Sequence, residues 1–186
     1  MWSIHAPPKT KHLLWRICKG CLRMRIRLQE KCVPCSLNYP ICDHDNEDDW
    51  HVLFSCSDSV QARQFAGLDH IISARIQQHS NIKDMIFDIC ANEDTDTAGQ
   101  FAYLVWLLWQ NRNNSVWNNE KETGRCLGVK TRQLWTEWYT IQQLQQSTPV
   151  AVQQQQQIAW QHPPLNWYKC NVDAGFHQEA NKTIVG

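Results

Sequence analysis

Lysine and arginine are missing altogether from Cys32 to Ala62, so the five carboxylates at Asp43, Asp45, Glu47, Asp48 and Asp49 meet no positive charge within their own stretch. An apolar leader is missing too. Lys9, Lys11 and Arg16 interrupt the N-terminal region, which argues against a secretory signal. The longest apolar run, Phe101 to Trp109, is about half of the roughly 20 residues a transmembrane helix needs, so no membrane partner is expected. Net charge is zero and mean hydropathy is −0.53, values of a water-soluble chain. Nine cysteines without a leader point to reduced thiols and metal rather than to a disulfide framework. The expectation is an intracellular protein, nuclear or cytoplasmic, with no specific protein partner implied.

Cysteine and histidine are concentrated instead of spread. Cys32 to Cys56 holds Cys32, Cys35, Cys42, His51 and Cys56, in the pattern C-x2-C, then Cys42-x8-His51-x4-Cys56. Zinc favours tetrahedral thiolate and imidazole ligation, and structural sites close all four positions. Cys42, His51 and Cys56 with one sulfur of the Cys32/Cys35 pair would make a Cys3His site, with one sulfur to spare. The acidic loop could suggest calcium, but the glycine-centred alternation of a calcium-binding loop is absent, and thiolate with imidazole favours zinc. Spacing alone also accommodates ordinary buried cysteines with His51 at the surface.

The zero net charge conceals an asymmetry. Residues 1–31 carry Lys9, Lys11, Arg16, Lys19, Arg23, Arg25, Arg27 and Lys31 against the single acid Glu30. The first seven are candidate phosphate contacts to RNA or DNA. The competing reading is a solvated helix face neutralised by the acidic loop that follows.

Periodicity predicts a mainly helical chain. After Pro7-Pro8, apolar residues from Lys9 to Cys21 recur at helical spacing, and a shorter helix is expected from Arg25 to Lys31. Trp50–Phe54 is an apolar return from the acidic loop. A short helix is expected around Val60 to Phe65, ending at Gly67, and another carries Ile82, Met85, Ile86 and Ile89. Thr97-x-x-Gln100 fits a capping box opening a helix from Phe101 to about Trp117. A last helix, about 126–144, places Leu127, Leu134, Trp138 and Ile141 on one stripe. The glutamine and proline run at 147–166 cannot build a core and reads as a linker. From Tyr168 to Phe176 apolar and polar residues alternate as in a half-buried strand, and Thr183-Ile184-Val185 begins a second.

Three separated stretches together resemble one family. Pro7-Pro8-Lys9, Leu14-Trp15-Arg16 and Arg27-Leu28-Gln29, followed by Cys42, Glu47-Asp48-Asp49-Trp50-His51-Val52-Leu53-Phe54 and Cys56, resemble the reverse-transcriptase zinc-binding domain of plant non-LTR (LINE-type) retroelements. Trp106-x2-Trp109-x2-Arg112-Asn113-x3-Trp117 is similar to the helix that follows that domain. Tyr168-Lys169-Cys170-Asn171-Val172-Asp173-Ala174 resembles the opening strand of the ribonuclease H-like domain farther along the same polyproteins. The implied organisation is a zinc-binding domain at 1–67, a helical region at 80–146, the linker at 147–166 and a truncated ribonuclease H-like β-hairpin stub at 167–186.

The family pattern carries C-P-x-C, whereas this chain has Tyr39-Pro40-Ile41-Cys42. Tyr39 stands where the first thiolate is expected, and a phenol is a poor zinc ligand beside a thiol. The resemblance therefore assigns zinc to Cys42, His51 and Cys56 with Cys35 as the substitute fourth ligand and Cys32 in reserve. Asp173 matches the first of the carboxylates that hold two magnesium ions in the nuclease family, and none of its partners is encoded. The expected function is a zinc-binding, nucleic-acid-associated remnant of a reverse transcriptase/ribonuclease H polyprotein without catalysis. The alternatives are a purely structural zinc-stabilised remnant and a ribonuclease H-type fragment completed by another chain.

Overall fold

A computed structural model describes residues 2–147, 174–177 and 182–185. Met1–Thr148 forms one compact unit and Pro149–Gly186 a second.

The larger unit is a helical array. Helix α1, Pro8–Cys18, starts with proline inside its first turn, where the missing N–H costs nothing. Thr10 adds a hydroxyl bond to the Pro7 carbonyl at 2.8 Å. The helix ends at Cys18, three residues short of the expected boundary, because Gly20 turns the chain with φ +63°. Leu13, Leu14 and Ile17 face the core. Helix α2, Arg25–Glu30, is short and buries no residue fully.

Helix α3, Ser57–Phe65, is followed by α4, Asp69–Gln78, and α5, Ile82–Asn92. The sequence reading had no counterpart to α4, whose only buried residue is Ile72. Asn81 caps α5 by accepting from the Asp84 N–H, and Met85, Ile86, Ile89 and Cys90 are buried as the i, i+1, i+4, i+5 set.

Helix α6, Thr95–Asn118, is the spine of the unit, and it begins two residues before the expected capping box. Asp94 is the true cap: its Oδ1 accepts from the N–H groups of Asp96 and Thr97 at 3.0 and 2.9 Å. A carboxylate at this place also complements the helix dipole. Phe101, Ala102, Leu104, Val105, Leu108 and Trp109 all lie in the core.

Helix α7, Gly124–Ser147, packs chiefly on α3 and α6. Its buried residues, among those described, are Gly124, Leu127, Gly128, Thr131 and Trp135. This corrects the expected stripe: Leu127 is shared, but Leu134 and Trp138 are half-buried and Ile141 is 53 % exposed. The rotation follows from glycine. A Cβ at Gly128 would lie 2.4 Å from the Ala62 carbonyl oxygen, and one at Gly124 would lie 2.1 Å from that of Asp58. Backbone therefore meets backbone along this seam, and the Gly124 N–H donates to Asp58 Oδ1 at 2.7 Å. The N-terminal strap is tied in as well, with the Trp135 indole donating to the His5 carbonyl at 2.9 Å.

In the smaller unit, β1 (Ala174–His177) pairs antiparallel with β2 (Lys182–Val185), Ala174 opposite Val185 and Phe176 opposite Thr183. The rest of the expected strand, including Asp173, lies outside the described residues, as does most of the linker at 147–166. A two-stranded hairpin does not by itself specify a fold family.

Candidate metal centre

The centre is built on a tight ribbon and a helix start. The Tyr39 N–H donates to the Asp45 carbonyl at 2.7 Å and the Glu47 N–H to that of Leu37 at 2.8 Å. Inside this ribbon the Asp43 N–H returns to the Tyr39 carbonyl at 2.8 Å, and Asp43 takes φ +59°. The turn delivers Cys42. The chain then enters a helical turn whose cap is Asp48: its Oδ1 accepts from the His51 N–H at 2.7 Å, and its carbonyl accepts from Val52 at 3.0 Å.

Over His51–Ser55 this turn is wide, and the Cys56 N–H reaches back five residues to the His51 carbonyl at 2.9 Å. Wide turns of this kind occur often at functional sites. Here it places His51 and Cys56 side by side, with Cys56 directly ahead of α3.

One donor atom from each of Cys42, His51 and Cys56 lies within 4.8 Å of the other two, and Cys42 Sγ sits 3.3 Å from His51 Nε2. Zinc–sulfur and zinc–nitrogen bonds of about 2.3 and 2.0 Å would separate tetrahedral ligand atoms by roughly 3.5–3.8 Å. Two thiols and one imidazole at this spacing fit that ion. His51 Nδ1 faces Asp45 Oδ2 at 3.7 Å, leaving Nε2 for the centre. A carboxylate behind a ligating imidazole fixes its orientation and raises its basicity. Burial pushes the Cys56 thiol above its usual range; the N–H groups of Asp58 and Ser59 act the other way, and the Cys42 sulfur pushes it up again.

Tyr39 fills the place where the family pattern has its first thiolate. It is 2 % exposed, and its ring meets the His51 ring edge-on at 5.4 Å. Burial first, then the sulfur of Cys56, holds this phenol far above its ordinary range, so it stays neutral. Cys35 is not among the grouped donors: its thiol points to the Arg25 carbonyl at 3.7 Å. Cys32 is exposed, in a left-handed backbone conformation at φ +59°. The structure thus brings together three of the four expected ligands.

The acidic loop has work of its own. Glu47 is fully buried and accepts from Arg112 through Nε at 3.1 Å and Nη2 at 2.5 Å. It also accepts from the Arg25 N–H at 3.2 Å. Asp49 takes the Arg27 guanidinium with both oxygens. Arg112 reaches on to the Arg23 carbonyl at 3.1 Å, and its guanidinium lies over the Trp109 ring at 5.0 Å. Lys121 and Ser115 bond the Ile41 and Pro40 carbonyls, at 2.9 and 3.4 Å. The metal ribbon is in this way strapped to α2 and to the far end of α6.

The same contacts divide the seven basic candidates. Arg25 and Arg27 are engaged by Glu47 and Asp49. Lys9 Nζ lies 3.9 Å from the centre of the Trp106 ring, and Lys11 donates to the Trp2 carbonyl at 2.9 Å. Lys19 is exposed at the end of α1. Arg16 and Arg23 have no ion pair or side-chain hydrogen bond among the described residues. The sequence reading missed Glu47 and Arg112 as a buried pair; the signal available was their presence in two adjacent motifs.

Residues 1–62 match the family model described as zinc-binding in reverse transcriptase. This segment is a small zinc-binding domain related to that family. The match covers one third of the chain and ends within α3, just past the three grouped ligands. Among curated proteins and solved structures, nothing matches. No helix among the described residues is long and apolar enough to cross a membrane.

Proposed function

We propose that this chain is a zinc-stabilised, nucleic-acid-associated module derived from a non-LTR retroelement polyprotein of the plant type, and that it works without catalysis of its own. The observation that carries the zinc part is the convergence of Cys42, His51 and Cys56 inside the segment matched to the reverse-transcriptase family. Zinc, when bound, would supply a cross-link between the ribbon at 37–47 and the start of α3. Cys42, His51 and Cys56 would hold it. The fourth place falls to Cys35, once its thiol leaves the Arg25 carbonyl, or to solvent.

Elemental analysis of the purified protein tests this. About one zinc per chain is expected, and Cys42→Ser should remove most of it. Loss of zinc in Cys35→Ser would assign the fourth place to that thiol; full retention would give it to solvent. Tyr39→Cys restores the family residue and should tighten binding. A protein free of zinc after purification and zinc dialysis would overturn the reading.

The nucleic-acid part is supported by the excess of basic residues in 1–31. A second reading, a purely structural zinc-held remnant, is favoured by the internal pairing of Arg25 and Arg27. Binding of a single-stranded oligonucleotide with a log–log salt slope of about −0.7 per contact supports the first, and no binding at low salt the second.

For Asp173 we propose a vestigial role. One carboxylate cannot fix the two magnesium ions of a ribonuclease H-like site. An RNA–DNA hybrid incubated with the protein and magnesium should stay intact. Cleavage abolished by Asp173→Asn would place the chain among the nucleases.

A further inference from the structure

Between the last turn of α1, the segment 19–24, the start of α2 and the last turns of α6 lies a groove of about 540 Å³. Its wall carries Arg16, Arg23 and Arg25, and Trp109, Asn113 and Trp117 come from α6. Arg112 also lines it, already satisfied by Glu47 beneath. No carboxylate lines the groove; Glu47 beneath it engages Arg25 and Arg112, which leaves Arg16 and Arg23 as its unpaired guanidinium groups.

Two features have no role in the fold. Arg16 and Arg23 hold no ion pair or side-chain hydrogen bond among the described residues. Trp117 is 79 % exposed at the end of a helix whose other aromatic residues are packed. A large exposed indole beside free guanidinium groups has the makings of a stacking platform with phosphate contacts. Guanidinium forks match phosphate oxygens in pairs, and every base presents a face to an indole.

We infer that this groove binds single-stranded nucleic acid, with Arg16 and Arg23 on consecutive phosphates and Trp117 stacked on a base. The inference rests on the nucleic-acid reading above and adds where on the molecule that contact is made. A duplex is disfavoured, because its bases are already stacked and offer Trp117 no face without being flipped out. Arg27 and Lys11 are directed elsewhere, to Asp49 and to the Trp2 carbonyl, and are not part of this groove.

The test uses the full-length, zinc-loaded chain and a labelled 12-nucleotide oligothymidylate, followed by fluorescence anisotropy from 50 to 200 mM salt. Trp117→Ala should weaken binding roughly five- to 100-fold with an unchanged salt slope, and Trp117→Phe should restore most of it. Arg16→Ala and Arg23→Ala should each reduce the slope by about 0.7. Lys83→Ala, an exposed cation outside the groove, should change neither quantity beyond the general charge effect. Circular dichroism checks that these substitutions leave the helices intact. Wild-type binding that Trp117→Ala, Arg16→Ala and Arg23→Ala weaken no more than Lys83→Ala does would overturn the groove and leave the nucleic-acid reading standing. Tighter binding to a duplex of the same length would overturn it as well. Absence of wild-type binding would overturn both.

Discussion

Two seams hold the larger unit together, and they are made of different materials. At one end, the ribbon and wide turn at 37–56 gather two thiols and an imidazole, and join α2 and the last turns of α6 through ion pairs, of which Glu47–Arg112 is buried. At the other, α3, α6 and α7 meet through apolar side chains and through glycines that let backbones touch. The first seam combines these polar ties with apolar packing: Tyr39, Ile41, Val52, Leu53 and Phe54 are buried, although α2 buries nothing fully. Zinc at the grouped donors, as proposed above, would add a cross-link to that packing. The second seam holds no such group of donors among the described residues. The two should therefore respond differently to loss of the metal and to a change in packing.

Removal of the proposed zinc is the largest test. Structural zinc contributes about 10–16 kcal/mol of apparent binding energy in isolated finger peptides, and ordering of the ligand segment draws on it. With Cys42→Ser or a chelator, amides of residues 37–56 should exchange quickly while those of α6 and α7 keep their protection. Equal loss of protection in both regions would show that the seams are one cooperative unit.

Breaking the buried pair comes next. Glu47→Ala leaves the Arg112 charge buried without its partner and should cost about 3–5 kcal/mol in urea unfolding. Replacing both residues, Glu47→Leu with Arg112→Met, should recover much of that loss, because two well-packed apolar groups no longer need each other's charge. A double variant as unstable as the single one would mean that Arg112 acts mainly through the Arg23 carbonyl.

Gly128→Val attacks the other seam. The added Cβ would meet the Ala62 carbonyl oxygen and the Phe65 side chain, so α3 and α7 must separate, at a cost of about 1–3 kcal/mol. Zinc content, read by elemental analysis, should be unchanged. A variant that loses its zinc would show that the position of α3, which follows Cys56, depends on α7.

The two seams also differ in how far the sequence disclosed them. Cys42, His51 and Cys56 lie within 15 residues, and their spacing reports directly on a turn and a helix start. The Glu47–Arg112 pair spans 65 residues, and no local pattern measures that distance. Asp48 and Asp49 read as loop charge, although one caps the helical turn and the other holds Arg27. Thr97-x-x-Gln100 satisfied a capping template, but Asp94 offers a carboxylate to two N–H groups and opens the helix earlier. On α7, apolar periodicity selected Trp138 and Ile141, whereas close approach at Gly124 and Gly128 turns Thr131 and Trp135 inward. Helix α4 escaped because a helix with a single buried residue has almost no periodic signal.

The smallest effect is the one that separates the metal seam from the apolar packing elsewhere in the unit by the sign of the pH dependence. Acid should open the metal seam, since Cys42, Cys56 and His51 must be deprotonated to bind zinc, and protons compete for each. The contact between α1 and α5, which belongs to neither seam, responds to base. Burial, and after it the nearby Cys90, raises the Cys18 thiol from 9.0 to about 11, and burial raises Cys90 in the same direction. A group whose folded pKa exceeds its unfolded value favours the folded state fully below the unfolded pKa, and that contribution is lost as pH rises through the folded one. For Cys18 the window runs from about 9 to about 11, and the loss is about 1–2 kcal/mol once solvent exposure is discounted. Urea midpoints measured at pH 8, 9, 10 and 11 should fall in wild type and fall less steeply in Cys18→Ala, with zinc retained throughout. Parallel curves for the two proteins would mean that the Cys18 thiol ionises in place at no cost, and that the contact between α1 and α5 is wetter than its packing suggests.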